Sequence, residues 1–163
     1  MGEVGVHWTD FFVAEVGATA ALSGLIIVAV SINIQRILSI PHLPGRALEA
    51  LVLLLAALLI CSLALISAQP PQLLGGEILA LEVVVLLTAI VQQAGSLNVQ
   101  PQQMSWIISR AVAIALTGAP IVIGAVVLCL GHPEGLYWIA PGILIAIAVS
   151  VMNTWILLVE ILR

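Results

Sequence analysis

FFVAEVGATAALSGLIIVAVSINIQRIL, residues 11–38, is an apolar stretch whose only charged side chains are Glu15 and Arg36. A bilayer core about 30 Å thick is crossed by roughly twenty helical residues, so this stretch is long enough to span it. Four further segments of the same character follow, at residues 47–68, 78–94, 106–130 and 137–162. A segment in hydrocarbon must satisfy its own backbone hydrogen bonds, which makes helix the state expected for each. The expectation is an all-α, polytopic membrane protein with five transmembrane helices in a single domain covering 1–163. A composition of 63% hydrophobic and 7% charged residues supports it, because a soluble surface needs roughly a quarter of its residues charged.

The four basic side chains, Arg36, Arg46, Arg110 and Arg163, all fall at the same side of a five-span chain. Lys and Arg mark cytoplasmic loops, so the N-terminus is expected outside and the C-terminus inside. Trp8, Tyr137 and Trp138 then sit at the outer interface, Trp106 and Trp155 at the inner one. Pro41, Pro44 and Gly45 separate the first two spans; Pro70, Pro71, Gly75 and Gly76 separate the next pair. Pro120 predicts a kink inside the fourth span. The acidic N-terminus and the length of the first apolar stretch argue against a cleaved signal peptide.

Several function classes are excluded or disfavoured. No basic stripe is present for nucleic acid. His7, His42 and His132 are scattered singly, with no spacing that would build a metal site. No Gly-x-Ser-x-Gly, His-Glu-x-x-His or paired-aspartate arrangement points to an enzyme. No cofactor is expected.

Polar groups at membrane depth are costly, and each is a functional candidate. Glu15 and Glu82 are read about one turn into their spans from the outer side. There they form either a cation-attracting vestibule or a proton-titrating carboxylate, or else they are carboxylates that reach the headgroup water. Ser31 and Asn33 on the first span, and Ser150 and Asn153 on the fifth, are either pore-lining groups or cross-helix hydrogen-bond glue. Ser150, Asn153 and Glu160 share one helix face by their spacing. At the inner end, Arg36, Arg46, Glu49, Arg110 and Glu160 are candidates for a gate or for interfacial ion pairs, with Arg46 and Glu49 an i,i+3 pair. Gly17 and Ala21, and Ala20 and Gly24, are small-xxx-small pairs that permit close helix approach. They make the first helix central, either within the protomer or at an oligomer axis.

The run Phe11-Phe12-Val13-Ala14, Gly17-Ala18, Ala20-Ala21-Leu22, Gly24-Leu25 and Ser31-Ile32-Asn33 leads into Pro41 and Leu43-Pro44-Gly45-Arg46-Ala47-Leu48-Glu49. Over these first two spans the chain resembles a family of short bacterial integral membrane proteins, some of whose members carry the loose label of membrane-protease modulator. The resemblance implies a bacterial inner-membrane location and no particular activity. The functional expectation is a homo-oligomeric ion or small-solute channel in contact with the lipid bilayer. The alternative is a non-transporting regulator or scaffold that binds other membrane proteins.

Overall fold

The computed structural model describes residues 3–40, 43–94 and 104–162, and within these the side chains of 8–40, 43–92 and 112–160. Six α-helices run in order: α1 (Glu3–Ile32), α2 (Ile34–Ser39), α3 (Leu43–Ala64), α4 (Pro71–Ala94), α5 (Met104–Cys129) and α6 (Leu136–Leu162). A short 3-10 turn, Pro133–Gly135, precedes α6. No strand occurs among the described residues. Five stretches are long and apolar enough to cross a bilayer: Trp8–Ile32, Leu43–Ala64, Pro71–Gln92, Val112–Cys129 and Pro133–Glu160. This is the architecture of a multi-pass helical membrane protein, as the hydropathy pattern predicts.

The boundaries differ from that pattern in two places that matter. The first apolar stretch is not one helix to Leu38: it breaks at Asn33 (φ −105°, ψ 12°), and α2 starts one residue later. α4 begins at Pro71, seven residues before the expected start of the third span. Proline fits the first turn of a helix, where its missing N–H has no intrahelical partner to lose. Gly75 and Gly76, read as a break, lie inside this helix.

The chain packs as two compact units, one made of Met1–Gln69 with Ala146–Arg163 and the other of Pro70–Ile145. In the first unit α1 packs along α3. α3 is the central helix: half of its apolar window is buried, against 17% for that of α1. Its buried residues Leu43, Ala47, Ala50, Leu54, Ala57 and Cys61 recur at alternating spacings of four and three, one continuous helix stripe. Ile26, Ala50 and Leu54 form one core cluster, supported by Leu22, Val30, Leu51 and Ile147. Ile37 of α2 closes a second with Leu43, Ala47 and Leu157. Trp8, Phe11 and Phe12 form an aromatic group near the start of α1, with ring centroids 5.3–5.9 Å apart.

In the second unit α4 packs against α5, and α5 against the 3-10 turn. Here glycine decides the packing distance. A Cβ on Gly75 would fall 2.6 Å from the carbonyl oxygen of Ala125, and one on Gly124 would fall 2.5 Å from that of Gly135. α5 ends in a Schellman cap: Gly131 N–H donates to Leu128 O (2.8 Å) and His132 N–H to Val127 O (3.2 Å). The cap requires the left-handed backbone at Gly131 (φ +88°). Gly131→Ala is therefore expected to destabilise the protein by about 1 kcal/mol, read as a lowered unfolding midpoint in detergent. An unchanged midpoint would contradict the role given to this cap.

Candidate functional site

Most polar side chains inside the spans are tied to helix carbonyls. On α1 the Thr19 hydroxyl donates to Glu15 O (2.6 Å), Ser23 to Thr19 O (2.7 Å) and Ser31 to Ile27 O (2.7 Å). Asn33 Nδ2 donates to Ala29 O (2.9 Å), which holds the α1–α2 break. On α4 Thr88 donates to Val85 O, and on α5 Thr117 reaches Ala113 O and Ile114 O. Such back-bonding satisfies the hydroxyl locally and leaves it little capacity for a ligand.

Ser150 differs because it joins two helices. It is fully buried, and its hydroxyl donates across to Ala50 O on α3 at 2.8 Å. Leu157, two turns on, packs on Leu43 and Ala47, so the same face of α6 meets α3. Asn153 lies beside this stripe, half-buried. Cross-helix bonds of this kind contribute about 0.6 kcal/mol on average in bilayers. Ser150→Ala is expected to lower stability by about that amount while the fold is kept, as a double-mutant cycle against an α3 core substitution would measure. A loss several-fold larger would mean that Ser150 holds more than this one contact.

Arg46 is half-buried, Glu49 buried and Glu160 half-buried, and each of the three has a polar or electrostatic partner. Arg36 on α2 is exposed. The side chain of Arg110, with Arg163 and the side chain of Trp106, lies outside the described residues. Glu15 is half-buried. Gly17, Ala20, Ala21 and Gly24 are all exposed, and a Cβ on Gly17 or Gly24 would meet nothing within 4 Å. The close-approach face of α1 is thus turned away from the core of its own unit. Phe12, Thr19, Ser23 and Ile26 form the buried face instead.

Glu82 stands apart. Because α4 starts at Pro71, Glu82 lies eleven residues inside the helix, about 16 Å along its axis, rather than one turn from its start. It is only 4% exposed. Its Oε2 lies 3.5 Å from where a Cβ on Gly118 of α5 would be, so the carboxyl group occupies the seam between α4 and α5. Among the described residues no hydrogen bond or ion pair meets it. A charged carboxylate at the centre of a bilayer costs about 3 kcal/mol even on the most lenient scales.

Sequence reasoning missed that Glu82 lies beside Gly118, and missed Thr19, Ser23 and Thr117 as buried groups. The Thr19/Ser23/Ile26 spacing is the one signal that could have pointed to a buried face on α1. No group of three His, Cys, Asp or Glu residues gathers in a metal-binding arrangement among the described residues.

These features define a helical multi-pass membrane protein with a buried carboxyl group, unpartnered among the described residues, in one helix seam. No protein-family model, curated protein or solved structure matches the chain.

Proposed function

We propose that the protein is a homo-oligomeric channel for a small cation in a bacterial inner membrane, with its N-terminus outside and its arginines on the cytoplasmic side. The observation that carries this reading is Glu82, buried three turns inside α4 with no hydrogen-bond partner among the described residues. A polar group that serves as helix glue is bonded, as Ser150 is to Ala50. A carboxyl group that is not bonded destabilises the fold, and its retention at this depth argues for ion handling. Several copies are invoked because the described hydroxyls of each span are committed to helix carbonyls, and because the small-residue face of α1 is open. Closed cyclic assembly is the usual way for short chains to enclose a path.

Purified protein in lipid vesicles should give cation flux above that of empty vesicles, and Glu82→Gln should abolish it. Absence of flux for every cation and gradient tried would remove the reading.

The exposed α1 face favours a second reading, a regulator or scaffold that docks other membrane proteins through Gly17, Ala21 and Gly24. A stoichiometric partner recovered from native membranes, lost on Gly17→Leu, would support it; recovery of the chain only with itself supports the channel.

A further inference from the structure

We infer that the ion held by Glu82 is a proton: the carboxyl group seats against Gly118 as a neutral acid and becomes a carboxylate when it releases that proton to water. This rests on the reading of the protein as a cation pathway and narrows the cation to one. Loading forms one O–H bond between a carboxyl oxygen and a proton taken from water; release breaks the same bond, and no electron moves.

Coordination chemistry separates a proton from a divalent metal cation. Calcium takes six to eight oxygen ligands and magnesium an octahedral set. Among the described residues Glu82 belongs to no group of three His, Cys, Asp or Glu that could hold a metal. The nearest hydroxyls along the two helices, Thr88 and Thr117, already donate to Val85 O and to Ala113 O and Ile114 O. A proton needs one lone pair of one oxygen, and binding it removes the charge that the apolar seam disfavours.

Neighbouring ionisable groups are remote in sequence from the contact. α4 carries Glu77, five residues before Glu82 and on another face of the helix. α5 carries Cys129, eleven residues beyond Gly118 and beside the Gln72 carbonyl, and Arg110, eight residues before Gly118 with its side chain outside the described residues. On α5 the carboxyl group lies beside Gly118, where an added methyl group would sit in ordinary van der Waals contact with Oε2.

The test treats the full-length protein, in detergent and in lipid vesicles, with dicyclohexylcarbodiimide. This apolar reagent attacks protonated carboxyl groups in apolar surroundings and leaves one reagent molecule attached. The adduct should map to Glu82, decline as pH rises, and be lost completely in Glu82→Gln. Infrared spectra should contain a protonated-carboxyl band that the same substitution removes. Absence of both the adduct and the band overturns the inference. If sodium or potassium flux is nonetheless present and lost in Glu82→Gln, the pathway stands and the proton does not. If the adduct and band are present but no ion crosses the vesicle membrane, the proton site stands and the pathway does not.

Discussion

Gly124→Leu is expected to prevent α5 from packing on the start of α6, and Gly124→Ala to weaken that contact by about 1–3 kcal/mol, the usual range for overpacking a tight site. The first added carbon would lie 2.5 Å from Gly135 O, 2.6 Å from Ile139 Cγ1 and 3.0 Å from Ile139 N. Two of these are backbone atoms, which no side-chain rotation can move aside. Gly135 faces the reciprocal constraint from Gly124 O, so the two glycines set one shared approach distance. Opposing this, alanine is a better helix former than glycine by about 1 kcal/mol in water. The clash is with backbone on the partner side, so it outweighs that gain. Gly17→Ala is the matched control: with nothing within 4 Å of its Cβ, it should leave the folded protomer unperturbed. Denaturation of the purified variants in mixed micelles measures both. A Gly124→Ala protein as stable as its parent would show that the α5–α6 contact is looser than these distances imply.

The second large effect is one of opposite sign. Glu82→Met should leave the fold as stable as before or more stable, by up to about 3 kcal/mol, because an apolar side chain of similar length replaces a buried polar group without a partner. In the same variant, cation flux should vanish. Gain of stability with loss of transport is the signature of a residue kept for function against the interest of the fold. If Glu82→Met instead destabilised the protein by more than about 1 kcal/mol, the carboxyl group would be a structural anchor. The ion-handling role would then lose its basis.

The five spans were legible because hydropathy and length are properties of a segment alone. Any stretch of this composition must be helical in hydrocarbon, whatever it packs against. The end of the first helix and the start of the fourth were not legible in the same way. Asn33 sits in an apolar run, and its break is held by a local bond to Ala29 O that hydropathy does not register. Pro70, Pro71, Gly75 and Gly76 read together as a loop, yet Gly75 is a packing residue whose missing side chain admits the backbone of α5. That one misplacement moved Glu82 from the membrane edge to the interior of a span.

The small residues of α1 show the same division. Their spacing established that some helix could approach closely. It could not say whether that helix belongs to the same protomer, because a small side chain looks alike on a buried face and on an open one. The structure places Gly17, Ala20, Ala21 and Gly24 on the open side and makes α3 the central helix of its unit.

By itself, then, the chain of 163 residues determined helical spans, their number and the polar groups within them, since all of these follow from local transfer free energies. Only tertiary packing decided which of those groups are bonded and which are not. Ser150 finds a carbonyl one helix away, whereas Glu82 finds a glycine. That difference depends on the rotation and depth of neighbouring helices, which no single segment encodes.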